Sequence, residues 1–261
     1  MLLRLAAAFA LLTMLAPGAG AVTSDCLAMA QSEARIVPAA LAPDQVKLTY
    51  IGHSSFIIES PAGIRIVTDY SGNAGGIVPD AVTMNRAHST HFTDYPDPAI
   101  ENVLRGWNPD GGPVAHDLTI GDIRIRNVPT DIRGGMAGRI PDGNSIFIFD
   151  VAGLCIGHLG HLHHELAPGH LAMIGRLDIV MVPVDGGYTM AQVSMLEVLK
   201  SLKASIVIPM HYFGATTLAR LTSTMEENFK LETSASPERI VSQYTLPPEP
   251  MLLVLTARKS G

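Results

Sequence analysis

Seven histidines fall into three groups along the chain: His88 with His91, then His158, His161, His163 and His164, and finally His211. Each group follows directly on an apolar, strand-like run. Neutral imidazole is the commonest metal ligand, and a strand-to-loop junction holds a side chain rigidly. Imidazoles delivered by three separate strand ends therefore predict a shared metal site. A histidine taken singly at such a place reads as a hydrogen-bonded structural residue, so the grouping carries the expectation.

The elements that must position these residues follow from the hydrophobic pattern. Val46 to Ile51, Ser55 to Glu59 and Ile64 to Thr68 read as meandering strands, the last two joined by the turn Pro61-Ala62-Gly63. Asp80 to Met84 is a short strand that ends just before the first histidines, and Pro98 to Leu104 has the spacing of a short helix. Leu118 to Val128 reads as a hairpin, and Ser145 to Val151 with Leu154 to Ile156 as a strand pair. Beyond them come a helix at Ala167 to Ile174, a buried strand at Asp178 to Val184 and an amphipathic helix at Thr189 to Leu202. A strand at Ser205 to Met210 leads to His211, followed by a helix at Leu218 to Phe229 and a closing strand at Met251 to Thr256. Two mixed sheets covered by helices are the layered α/β solution for this order.

With 261 residues, 47% hydrophobic and 16% charged, the chain suits one large α/β domain. Its first residues read as a secretory signal over residues 1–21: basic Arg4, apolar Leu5 to Leu15, and the small-residue site Ala19-Gly20-Ala21. Residues 22–45 form an N-terminal leader and 46–261 the domain proper, so a periplasmic or secreted protein is expected. The apolar stretch is short for a membrane span, and no membrane association is expected after cleavage. A formal charge of −6 without a basic run argues against nucleic acid as a partner and leaves a small molecule. An oxidising compartment permits a Cys26–Cys155 disulfide, while Cys155 within its apolar strand also reads as a small buried hydrophobe.

Six landmarks, in order, resemble the metallo-β-lactamase fold superfamily, in its branch of small zinc-dependent hydrolases related to lactonases and phospholipase D-like enzymes. They are Tyr50 to Phe56, Ile66 to Asp69, Val82 to His91, Gly157 to His161, Val182 to Gly187 and Ile208 to Tyr212. The resemblance implies a four-layer αββα sandwich of two mixed sheets flanked by helices. It also implies hydrolysis by a metal-activated water at an ester, lactone, amide or phosphoester bond. Laid on the family's H-x-H-x-D-H motif, the four functional positions are Arg86, His88, Thr90 and His91. His161 stands where the family has a metal-bridging Asp, Thr130-Asp131 lies near its middle His, and His211 keeps the final His position.

This carry-over gives His88, His91, His161 and His211 as metal ligands. The ion is zinc, one or two, with manganese or iron as alternatives. Asp131, His164 and Arg86 are the candidate catalytic residues, and Asp69 braces the metal loop. His53 and His158 support the site from behind, and His164 ranks above His163. Arg86, always protonated, either binds an anionic substrate group or pairs with Asp131 or Asp94. Loss of the motif Asp at Thr90 keeps open a second reading, a non-catalytic member that binds a metal or ligand. A coloured iron site for redox or oxygen chemistry is a third.

Overall fold

The computed structural model describes residues 40–134 and 138–258. The expected signal segment, most of the leader and Cys26 of the expected disulfide lie outside the described residues. Cys155 is half-buried against the helix-side core, with its sulfur 3.4 Å from the Arg176 guanidinium.

One sheet has six strands in the order β13-β1-β2-β3-β4-β5, formed by β1 Gln45–Gly52, β2 Ser55–Glu59, β3 Arg65–Val67, β4 Ala81–Met84, β5 Asn102–Arg105 and β13 Glu238–Ser242. The other has eight, in the order β12-β14-β11-β10-β9-β8-β7-β6. These are β6 Asp117–Ile120, β7 Ile123–Arg133, β8 Arg139–Val151, β9 Leu154–His158, β10 Ile179–Pro183, β11 Ile206–Met210, β12 Lys230–Ser234 and β14 Met251–Leu255. Both sheets are mixed: β3, β4 and β5 pair in parallel, as do β9, β10, β11, β14 and β12, while the remaining neighbours run antiparallel. The central parallel strands IVMVP, IVIPM and MLLVL are buried at every position, as strands covered on both faces must be.

The two sheets face each other across a core that includes Leu48, Phe56, Ile58, Ile125, Phe147, Phe149 and Met181. On the outer face of the eight-stranded sheet lie α1 Pro168–Ile174, α2 Gln192–Leu202 and α3 Ala215–Met225, packed through Ile174, Met195, Leu199, Leu221 and Met225. The outer face of the six-stranded sheet is covered, among the described residues, by loop side chains such as Tyr70, Ile77, Ile100 and Trp107. This is the αββα sandwich, with its second outer layer built from irregular chain.

The expected helix at Pro98 to Leu104 is instead a turn leading into β5. Its apolar residues have helical spacing, but Asn102–Arg105 pairs in parallel with Ala81–Met84, and ladder bonds outweigh a short helix. Two strands escape the hydrophobic pattern, β12 and β13, because each is a polar edge strand.

Phe147 and Phe149 fill the space between the sheets at zero exposure. Phe147→Ala is expected to lower unfolding stability by about 3–5 kcal/mol in urea denaturation, whereas Ile240→Ala on the edge strand β13, half exposed, stays within about 1 kcal/mol.

Candidate metal centre

Both sheets send strand ends to one place. From the six-stranded sheet come His53 and Ser54 in the β1–β2 turn, Asp69 two residues after β3, and His88 and His91 in the loop after β4. From the eight-stranded sheet come His158 at the end of β9, His161 just beyond it, Asp185 two residues after β10, and His211 directly after β11. Hydrogen bonds tie the two sets: the His211 amide donates to the His53 carbonyl at 2.6 Å, and His158 Nε2 donates to the Ser54 carbonyl at 2.8 Å. His53, Asp69 and His211 all have positive φ (53°, 44° and 55°). Such backbone is uncommon outside glycine and persists only where the surroundings enforce it.

Four imidazoles, His53, His88, His91 and His211, each place a ring nitrogen within 4.8 Å of the others. His161 joins them, its Nε2 only 3.1 Å from His88 Nε2. The structure thus brings together His88, His91, His161 and His211, and adds His53, which the sequence placed behind the site. The Gly52-His53 turn was the available signal, since a glycine before a polar residue in a tight turn can aim it inward.

The back side of each ring is fixed. His91 Nδ1 lies 2.6 Å from Asp69 Oδ2, both side chains fully buried. His211 Nδ1 lies 3.1 Å from Asp185 Oδ1. His161 Nδ1 meets His163 Nε2 at 2.6 Å. The Thr90 hydroxyl sits between His88 Nδ1, at 2.6 Å, and His53 Nε2, at 2.8 Å. An ionised carboxylate only accepts, so it selects the Nδ1–H tautomer of His91 and His211 and turns the Nε2 lone pair the other way. Those two Nε2 atoms are buried and have no hydrogen-bond partner among the described residues.

The carboxylates are themselves held. Burial raises the Asp69 pKa, but His158 and His91 nearby, with hydrogen bonds from His91 and Asn85, carry it well below the usual carboxylate range. Asp185 behaves alike: burial opposes ionisation, and bonds from His211, Thr189 and the Gly187 and Thr189 amides prevail. Asp185 lies in the landmark Val182 to Gly187, and its place after a buried strand, like that of Asp69, was the signal for its role. Behind them, Asn85 donates to Asp69 at 2.9 Å and accepts from the Ser145 amide at 2.7 Å, while Asn144 accepts from the His161 amide at 2.7 Å. Gly160 is required between these amides: a Cβ there would lie 2.4 Å from both Asn144 Oδ1 and Asn85 Nδ2.

The three expected catalytic residues are placed differently. Asp131 sits at a register irregularity of the β7–β8 ladder, which turns its carboxylate to Arg139 at 2.6 Å and to the Asp142 amide at 3.0 Å. His164 has both ring nitrogens engaged, Nδ1 on the Glu165 carbonyl and Nε2 on the Asp131 amide, so it has no free lone pair and the order of His163 and His164 is reversed. Arg86 is exposed and makes no ion pair among the described residues; the expected partner Asp131 belongs to Arg139. His158 lies beneath the cluster as expected, and His116, away from it, is half-buried and bonded to the Arg105 carbonyl.

Residues 47–211 match the family described as the beta-lactamase superfamily domain, and the chain belongs to that family. A metal-dependent hydrolase of Pelotomaculum thermopropionicum is 28% identical over 195 residues, covering 64% of this chain and 84% of the relative. One from Thermococcus kodakarensis is 26% identical over 200 residues, with coverage of 64% and 84%. A solved structure from Thermotoga maritima, assigned to the Zn-dependent hydrolases of the metallo-β-lactamase superfamily, aligns with a TM-score of 0.61 at 27% identity, covering 82% of this chain and all of that one.

Burial, with the charge of neighbouring imidazoles, lowers the pKa of His53 and His88 to about 4 and of His161 to about 2. For His163, burial and the Arg133 charge give about 4. The unfolded chain protonates these rings near 6.5, above the folded values, so it holds more protons between those limits. The melting temperature of chelator-treated protein is therefore expected to fall as pH drops from 7 toward 4.5. His161→Gln is expected to flatten that slope; an unchanged slope in differential scanning calorimetry contradicts the assignment.

Proposed function

We propose that the protein is an exported metal-dependent hydrolase that holds one zinc ion on His88, His91, His161 and His211, with His53 beside them. The observation that carries this is the pair of buried imidazoles, His91 and His211, each bonded to a carboxylate through Nδ1 and, among the described residues, unpartnered at Nε2. A buried polar atom without a partner costs about 1–3 kcal/mol, and a cation between the rings removes that cost. Nitrogens bound to one tetrahedral zinc stand about 3.4 Å apart. The 3.1 Å between His88 and His161 and the 4.8 Å limit among His53, His88, His91 and His211 are within side-chain adjustment of that spacing.

An all-imidazole set suits zinc, while the carboxylates that manganese would prefer are occupied in orienting His91 and His211. Four imidazoles together would close a tetrahedral zinc, so hydrolysis requires that three of them hold the ion and the fourth stand aside; with that position open, a divalent ion would supply Lewis acidity, bringing the pKa of water to about 7 and polarising a carbonyl or phosphoryl oxygen. The chain's own residues do the positioning. Asp69 and Asp185 hold two rings aimed, His163 meets His161 from behind, and Thr90 sets the angle of His88 and His53. The names of the relatives support hydrolysis as the activity, and the pattern of residues 1–21 supports export.

Thr90 favours one alternative, a metal-binding member without turnover, because a hydroxyl replaces the carboxylate of the family motif. Elemental analysis joined to a panel of ester, lactone, amide and phosphodiester substrates separates the two. The proposal expects one zinc per chain after reconstitution, turnover that requires it, and loss of both in His211→Ala. Asp185→Asn is expected to weaken zinc binding about 10- to 100-fold. Stoichiometric metal without turnover supports the alternative, and no stoichiometric metal contradicts both.

A further inference from the structure

Two large aromatic side chains, Tyr188 and Phe213, stand in solvent, 68% and 58% exposed. Their ring centroids are 5.8 Å apart, edge to face. Phe213 also lies 5.4 Å from the His211 ring and 5.9 Å from the His53 ring. Phe213 therefore borders the imidazole cluster directly, with Tyr188 packed on it.

The loop that carries Tyr188 is tightly held. Asp185 Oδ2 accepts from the amides of Gly187 at 2.8 Å, Tyr188, and Thr189 at 3.2 Å. Arg133 donates to the Gly187 carbonyl at 3.0 Å and to the Thr189 carbonyl at 2.7 Å, one residue to either side of Tyr188. The carboxylate that aims His211 thus also fixes the backbone beneath Tyr188. Phe213, two residues after His211, starts from the other end of the same arrangement. Aromatic surface displayed beside a polar cluster supplies two ingredients of a small-molecule site, apolar contact for affinity and a few polar groups to fix orientation.

We propose that Tyr188 and Phe213 form a subsite for an aromatic substituent of the substrate, held one ring's reach from the atoms that the imidazole cluster engages. The inference rests on the metal-site reading. Edge-to-face and offset packing against two rings selects a flat aromatic group over a methyl group by about tenfold.

Hydroxamates test this without turnover, because they bind zinc through the same two oxygens whatever their substituent. On zinc-loaded protein, isothermal titration is expected to give benzohydroxamate about tenfold tighter binding than acetohydroxamate. That ratio is expected to fall to about one in Tyr188→Ser/Phe213→Ser and to survive in Tyr188→Phe. Zinc counted on the same samples separates the two levels of the argument. Zinc-loaded wild type with equal affinities, or a preference that survives the double substitution, overturns the subsite alone. Wild type that holds no zinc overturns the metal reading and the subsite with it.

Discussion

A buried, neutral imidazole carries one N–H and one lone pair, and the partner of one nitrogen decides where the other faces. Asp69 and Asp185 make that decision for His91 and His211. Because both carboxylates are held ionised by the hydrogen bonds they accept, the Nδ1–H tautomer they select turns the lone pairs of both rings toward the cluster. Much of the local structure serves this constraint: the positive φ at Asp69 and His211, the Asn85 and Asn144 amides that brace the loops, and the close approach that admits only glycine at residue 160.

The fold places the constraint where two sheets meet. Parallel strands β9, β10 and β11 end side by side, and the loops after β3 and β4 arrive from the facing sheet, so residues far apart in sequence reach one point. The bond between the His211 amide and the His53 carbonyl closes the seam at the cluster. Apolar core beneath and orphaned nitrogens above are two results of one arrangement, because burial that stabilises the sandwich also removes water from His91 and His211.

The strands were legible because their apolar runs are long and bounded by turns, and the three histidine groups were legible because each follows such a run. Edge strands β12 and β13 were not, since residues such as Lys230, Glu232, Glu238 and Arg239 break the pattern on which the reading depends. At the site, sequence spacing pointed to His88, His91, His161 and His211 but could not show how His53 turns inward, because that depends on one positive φ in a tight turn. Asp131 was chosen for nearness along a family pattern and His164 as the one of two adjacent histidines to face the site; a ladder irregularity at Asp131 and a backbone bond at His164 direct them elsewhere. Thr90, which reads as a loss against the family motif, is in contact with two imidazoles at once.

A rebuilt metal site is proposed rather than a decayed one because His91 and His211 meet carboxylates through Nδ1 and keep buried Nε2 atoms with no partner among the described residues. Crystals of zinc-soaked protein, measured on both sides of the zinc absorption edge, test this directly. The account predicts a single anomalous peak about 2.1 Å from the Nε2 atoms of His91 and His211. A peak bound elsewhere on the chain, or an empty cluster with the Nε2 atoms turned onto protein partners, would contradict it.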